Sequence, residues 1–495
     1  MSKIKSLASQ TAIYGISSIL GRLLNYALVP IHTDLFPNPD DLGVVTGLYA
    51  YTAIFLVLYT FGMETAFFRF ATKDNKEETY NATASFVVLC STALSILIII
   101  FSDSLATWAG YPTASNLVTW LAIILWIDGL LAIPFARIRL ENKAKLFASA
   151  RIINIIINVG LQILFLYLIP LIISKGWEGS GWLESVYKPD LGIGYIFLAN
   201  LIANILLLAI LGKWLLKVKL TFNKKKLKPI LIYASPILLT GLAGMLNEQL
   251  DKILIEKFLP VNFYDGITST AAVGIYGQTF KLSIFMMLAI QAFRYAGEPF
   301  FFSNAKDKKA PELFAKIMHY FVLLSLLIFL MVSINVELIG FVFLRSSAYR
   351  SALYLVPILL LGKLFYGIYM NLSIWFKLTD QTMYGTYFSL FGAAITIVGN
   401  ILLIPIIGYT GSAITSVLCY LCMTIICYKI GNKKYPIPYN FKILSVYIII
   451  SCIIASGTQL FKLENFWLDS IVKLAISLSI VVFIYLVEKP KLVRN

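Results

Sequence analysis

Residues 14–31, YGISSILGRLLNYALVPI, read as a membrane-spanning helix with one charge, Arg22, at its centre; no other charged residue lies between Lys5 and His32. An arginine in the middle of an apolar span costs about 2.5–3.5 kcal/mol on insertion scales, so it needs a compensating role. Ser18, Arg22, Asn25 and Tyr26 recur at three- and four-residue spacing and share one helical face. Two readings stand. Arg22 is paired or snorkels for structural reasons, or the stripe faces a water-filled cavity. Arg22 lies about 20 Å along the helix at 1.5 Å per residue, far from either interface, and the cavity is the more economical account.

Composition extends the membrane reading to the whole chain. The 495 residues are 59% hydrophobic and 13% charged, with a mean hydropathy of +0.82; soluble domains carry about 25% charged residues. The net charge of +16 belongs to loops and helix ends, where positive residues mark the cytoplasmic side. No basic patch lies elsewhere, which argues against nucleic acid as a partner. The N-terminal lysines precede an apolar run too long for a signal peptide, so a retained first helix is expected. Cys90, Cys419, Cys422, Cys427 and Cys452 all fall in apolar runs. The Cys419/Cys422 pair has no further cysteine or histidine beside it, so no metal site is expected.

Apolar runs of spanning length number about fourteen: 8–31, 43–68, 83–105, 115–136, 148–173, 193–216, 230–257, 272–300, 313–343, 352–376, 384–406, 411–429, 443–461 and 467–487. Alternate breaks such as RIRLENKAK and KWLLKVKLTFNKKKLK hold most of the Lys and Arg, which puts both termini on the cytoplasmic side. A weak repeat is present: GRLLN (21–25) with AGMLN (243–247), GMETAFFRFA (62–71) with GEPFFFSNA (297–305), and LENKAKLF (140–147) with LTDQTMYG (378–385). The expected architecture is all-α and polytopic, with two six-helix lobes related by a pseudo-two-fold along the membrane normal. The lobes are residues 1–220 and 221–435, followed by two further helices in 436–495. A substrate site is expected between such lobes near the midplane.

Charges inside the spans are the candidate functional set. The seventh run contains LNEQLDKILIEKF (246–258). Glu248–Lys252 and Lys252–Glu256 are i,i+4 pairs that can neutralise one another, whereas Asp251 has no basic neighbour at i+3 or i+4 on its own helix and is a candidate partner for Arg22. In the eighth run, Arg294 and Glu298 are also spaced for a local salt bridge. Lys281, thirteen residues earlier and so about 20 Å up the helix, is a candidate ligand-facing charge. Lys363 has the same character, with Tyr366 and Asn371 following. Glu64 and Asp128 are isolated acids, able to pair with a cation or to carry a proton in a coupling cycle. Arg22, Asn25, Lys281, Arg294 and Lys363 together suggest a cationic binding surface, and arginine and lysine suit phosphate. Glu64, Asp128, Asp251, Lys252 and Glu298 are the expected coupling or charge-pairing residues.

No GxxxxGK[ST] phosphate loop is present, and His32 and His319 are far apart in sequence. Neither nucleotide hydrolysis by that route nor another catalytic constellation is expected, so the chain does not read as an enzyme. No cofactor is expected beyond H⁺ or Na⁺ as coupling ion.

The stretch SSILGRLLNYALVPIHTDLFPNPDDLGVVTGLYAYTAIF…FGMETAFFRF, and later LNEQLDKILIEKFLP…AAVGIYGQTFKLS, resembles the polysaccharide exporters and O-antigen flippases of the multidrug/oligosaccharidyl-lipid/polysaccharide exporter superfamily. The likeness runs over nearly the whole chain, and its specificity comes from motif order. It implies a flippase carrying undecaprenyl-diphosphate-linked oligosaccharide, a polysaccharide or lipopolysaccharide O-antigen repeat unit, across the bacterial inner membrane by alternating access through a cationic central cavity. It further implies Arg22 and Lys281 as cargo-contacting cations and the last two helices as a groove for the lipid tail. A monomer surrounded by membrane lipid, associated with polymerase machinery, fits that implication. Three rivals remain: a flippase for the lipid-linked peptidoglycan precursor, an ion-coupled multidrug antiporter, and a membrane-embedded glycosyltransferase or polymerase.

Overall fold

A computed structural model describes residues 19–176, 181–305 and 307–493. Among these the chain is helical throughout, with no strand beyond an isolated bridge between Tyr264 and Ile267. Contacts divide the chain into two compact units, Met1–Gly274 and Ile275–Asn495.

The first unit begins with residues 19–27 (α1), followed by α2 (Val29–Leu35), α3 (Pro39–Thr60) and α4 (Met63–Ala71). It continues through α5 (Lys76–Ile100), α6 (Ser102–Ala109), α7 (Ser115–Leu140), α8 (Ala144–Ile163), α9 (Ile169–Ser174), α10 (Gly181–Val186), α11 (Gly194–Leu215) and α12 (Lys224–Phe258). Local chemistry sets the starts. The Asn75 side chain accepts from the N–H groups of Glu77 and Glu78 to begin α5, and Asn38 accepts from Asp40 N–H to begin α3. Such caps satisfy amides that have no intrahelical partner. The turn between α3 and α4 needs two left-handed residues, Phe61 at φ 51° and Gly62 at φ 69°.

The burial pattern of α5 is inverted relative to a soluble helix. Ala84, Ser85, Ser91 and Ser95 are buried and α5 packs on α7, while Ile96, Leu97 and Ile100 are exposed. Small residues at helix contacts and large apolar ones outside are what a bilayer demands. Where a side chain must be absent, glycine is used: a Cβ on Gly43 of α3 would lie 2.0 Å from the Thr270 carbonyl oxygen, and one on Gly274 2.1 Å from that of Pro39.

The helix α13 (Ser269–Lys281) crosses into the second unit, which comprises α14 (Ile284–Asn304), α15 (Ala310–Ile334), α16 (Val336–Phe343), α17 (Leu355–Leu372), α18 (Ile374–Leu378), α19 (Met383–Ile407), α20 (Tyr409–Lys434), α21 (Phe441–Leu460) and α22 (Phe466–Val493). Its centre is α17 against α20 and α20 against α19, with α15 packed on α17, α21 and α22. Phe301, Phe314, Ile374 and Ile437 form a core at one end.

Among the described residues, twelve helices are long and apolar enough to cross a membrane, and a thirteenth span is the pair α13–α14, bent by 48°. These thirteen coincide with the second to fourteenth apolar runs. The first run, 8–31, is described only from residue 19 onward. The protein is thus an all-α, multi-pass membrane protein. α12 packs on α3, α4 and α5 within the first unit.

Candidate functional site

Within the first unit, Arg22 and Asn25 on α1 are exposed, whereas Tyr26 is buried. The polar stripe therefore divides, its phenol packing inward while its cation and amide lie on the exposed side. Ser18 lies outside the described residues.

Asp251 and Lys252 are buried neighbours on α12, 6% and 5% exposed. The Lys252 ammonium lies 3.0 Å from Asp251 Oδ1, which also accepts the Lys252 N–H at 2.8 Å. Lys252 Nζ donates to the Glu248 carbonyl oxygen at 3.1 Å. This ion pair runs between adjacent residues, a spacing apart from the i,i+4 pairs read in the sequence. Glu256 is drawn elsewhere, because Ser269 (3.0 Å), Thr270 (2.9 Å) and Tyr111 (3.3 Å) all donate hydroxyls to its carboxylate. The start of α13 brings two of those donors within reach.

The two isolated acids share a neighbour that spacing alone does not reveal. Glu64, at the start of α4, lies 4.0 Å from Arg139; Arg151 of α8 acts on both Glu64 and Asp128. Asp128 accepts a long hydrogen bond from Asn204 Nδ2 at 3.4 Å, and Asn204 accepts from Asn154 at 3.1 Å. Further along α8, Gln162 donates to Asn158 at 2.8 Å and its Oε1 lies 2.8 Å from the His32 ring nitrogen Nε2. A polar seam thus follows Arg151, Asn154, Asn158 and Gln162 along one face of α8. The signal is present in the sequence, since the three amides recur every fourth residue.

At the α7 end of the unit, Arg137 is clasped by Glu77 at 2.5 Å and Glu141 at 3.0 Å, with its guanidinium 4.4 Å from the Tyr80 ring centre. Glu141 also takes Lys76 at 2.8 Å and Lys143 at 2.7 Å.

In the second unit, Lys281 is the last residue of α13, at the break before α14, and donates to Gln278 Oε1 at 3.0 Å. Lys363 on α17 is 3% exposed, its ammonium 4.7 Å from the Phe280 ring centre and 6.0 Å from that of Tyr420. The lysine expected to face ligand is closed over by aromatic rings in this conformation.

Arg294 and Glu298 line one cleft with Asn371 of α17 and Lys377 of α18. The expected Arg294–Glu298 salt bridge is replaced by a Glu298–Lys377 pair at 2.6 Å. The break between α17 and α18 delivers Lys377 to the cleft, where it meets Glu298 across helices. Among the described residues, no group of three or more His, Cys, Asp or Glu is placed to hold a metal.

A family model described as "Polysaccharide biosynthesis protein" matches residues 36–174. No curated protein sequence matches the chain. Among solved structures, a lipid II flippase, MurJ, in an inward closed conformation has a TM-score of 0.75 at 16% identity, covering 97% of this chain and 100% of that one. An inward-facing multidrug resistance MATE family transporter of the MOP superfamily has a TM-score of 0.61 at 15% identity, covering 86% and 95%. The MATE multidrug transporter DinF-BH gives 0.58 at 16% identity, covering 86% and 96%. At these identities the likeness establishes the fold. The family match adds a likeness over residues 36–174 alone.

Proposed function

We propose that the protein is a flippase for undecaprenyl-diphosphate-linked oligosaccharide in a bacterial inner membrane, with both termini cytoplasmic. The observation that carries this reading is the broken span α13–α14, bent by 48° with Lys281 at the break. Transporters use such discontinuous helices to place polar groups at the midplane. A family match described in terms of polysaccharide biosynthesis adds support.

In this reading the polyprenyl tail stays in lipid while the sugar–diphosphate head crosses, with access alternating between the two faces of the membrane. Arg22 and Lys281 neutralise the diphosphate, Arg22 by paired hydrogen bonds and Lys281 as a point charge. Lys363 would join them only if its aromatic cover opens. Asp128, Glu64 and Asp251 exchange their partners with H⁺ or Na⁺ between states. The protein acts as a monomer beside a polysaccharide polymerase. A second reading, flipping of the lipid-linked peptidoglycan precursor, is favoured by the full-length likeness to a lipid II flippase; the diphosphate chemistry is the same and the sugar differs.

The test is transport of fluorescent undecaprenyl-diphosphate oligosaccharide in proteoliposomes, with a peptidoglycan-precursor probe in parallel. Arg22→Ala and Lys281→Ala are expected to cut the rate at least about tenfold, which corresponds to 1.4 kcal/mol, while both proteins still insert; Arg22→Lys should keep part of it. Wild-type rates in both alanine variants would sink the proposal.

A further inference from the structure

We propose that the cleft between α14, α17 and α18 binds the phosphate of a lipid headgroup through Arg294 and Asn371, with the Lys377–Glu298 pair at its rim. Asn371 is 2% exposed and lines the cleft, yet among the described residues neither its Oδ1 nor its Nδ2 has a hydrogen-bond partner. A buried amide left unsatisfied is costly; a ligand oxygen in the cleft would satisfy its donor.

The charges point to an anion. Arg294 and Lys377 face one carboxylate, Glu298, and that carboxylate is engaged by Lys377 at 2.6 Å. Arg294 lies over the face of Tyr295, 5.7 Å from the ring centre, and among the described residues no hydrogen bond or ion pair engages its guanidinium. A guanidinium fork plus an amide N–H matches the oxygens of a phosphate better than a lone ammonium does. The walls supply the other half of a lipid: Phe293, Phe301 and Ile290 line the same cleft, suited to the first carbons beyond the phosphate.

Arg294 stands ten residues into α14 from Ile284, about 15 Å of helix, beyond the bent break that holds Lys281. On the flippase reading, which this role rests on, the cleft is a loading position near one membrane face, reached before or after the midplane. Binding itself does not depend on that reading. Two sources share the chemistry, the diphosphate of a polyprenyl cargo and the phosphate of an anionic bilayer phospholipid.

The test is binding of farnesyl diphosphate to the full chain in neutral detergent, with farnesol as the probe lacking phosphate and dioleoyl phosphatidylglycerol as competitor. Saturable binding is expected, weakened at least tenfold in Arg294→Gln and in Asn371→Leu, with farnesol at least a hundredfold weaker. Because Asn371→Leu removes the unsatisfied amide at similar volume, its Tm without ligand should equal or exceed the wild-type value. Competition by phosphatidylglycerol assigns the site to bilayer phospholipid, and its failure assigns it to cargo; either outcome keeps a phosphate site. Affinity within twofold of wild type in both variants, equal binding of farnesol, or a lowered Tm with unchanged affinity in Asn371→Leu would overturn it. Transport separates the two proposals: a wild type that flips while both variants bind normally defeats only the cleft, and loss of binding in a chain that never flips defeats only the flippase.

Discussion

Glu298 pairs with Lys377 at 2.6 Å and not with Arg294, the residue one helical turn before it. Sequence spacing makes the i,i+4 pair available, but the bent span and the α17–α18 break offer Glu298 a partner on another helix. The consequence is that Arg294 keeps its charge uncompensated by Glu298 inside the cleft.

A double-mutant cycle distinguishes the two pairings. Glu298→Ala with Lys377→Ala should show a coupling of about 0.2–1 kcal/mol, the range for partly exposed ion pairs. The Glu298→Ala, Arg294→Ala cycle should be additive within about 0.3–0.5 kcal/mol. Thermal unfolding in detergent measures both. A larger coupling to Arg294 than to Lys377 would contradict the arrangement.

The Arg137 clasp carries a pH dependence. Burial acts to raise the Glu141 pKa, but hydrogen bonds from Lys143, Lys76 and Arg137 outweigh it and bring the group from 4.5 to about 2. A carboxylate depressed on folding contributes stability that is fully present above its unfolded pKa and is lost as pH falls through the folded one. The Glu141 contribution should therefore be constant above pH 4.5 and fade between that value and about 2. Glu141→Gln should lower Tm at pH 7 and narrow its gap to wild type as pH falls through this window. A gap that stays constant with pH would show that the clasp's charge is not what stabilises it.

Much of this is legible in the sequence, for a definite reason. Span positions follow from apolar length, and thirteen of the runs reappear as helices because the bilayer fixes that length. Arg22, Asp128 and Lys281 stand out because isolated charges in apolar runs are rare. Pairing is not legible, since it depends on which helix lies alongside. Lys252 joins Asp251, Glu256 turns to hydroxyls from α13, and Lys363 lies under Phe280 and Tyr420. Arg151 is inconspicuous in the sequence because it stands near a basic loop, although the fold brings it to Asp128. Asn371 reads only as a neighbour of Lys363; its unsatisfied burial is a property of tertiary structure.

Close packing at the start of α3 predicts a steep steric response. A methyl group on Gly43 would sit 2.0 Å from the Thr270 carbonyl oxygen, so Gly43→Ala forces α3 and α13 apart. Overpacking of this kind costs about 1–3 kcal/mol, and Gly43→Val should cost more. Gly160, with nothing near its Cβ position, is the control: Gly160→Ala on the helix α8 should be neutral or slightly stabilising. Equal Tm values for the Gly43 and Gly160 alanine variants would refute the close approach.

On the flippase reading proposed above, the seam around Asp128 predicts which acid would couple transport to an ion. Asp128 meets Asn204 on one side and lies in the field of Arg151, with Tyr49, itself bonded to Asn200 at 2.9 Å, nearby. Asparagine at this position keeps the side-chain shape and removes only the ionisable group, so Asp128→Asn should fold with a Tm close to wild type. If Asp128 exchanges a proton or Na⁺ for its internal partners, the variant's transport should lose its stimulation by an imposed H⁺ or Na⁺ gradient. The ratio with and without gradient should fall to about one, as an ion that no longer discriminates the two states requires. Asn204→Ala, which takes away the amide donor but leaves the carboxylate, should alter the pH at which stimulation appears without abolishing it. Full stimulation in Asp128→Asn would leave Glu64, the other acid acted on by Arg151, as the residue to test by the same pair of gradients.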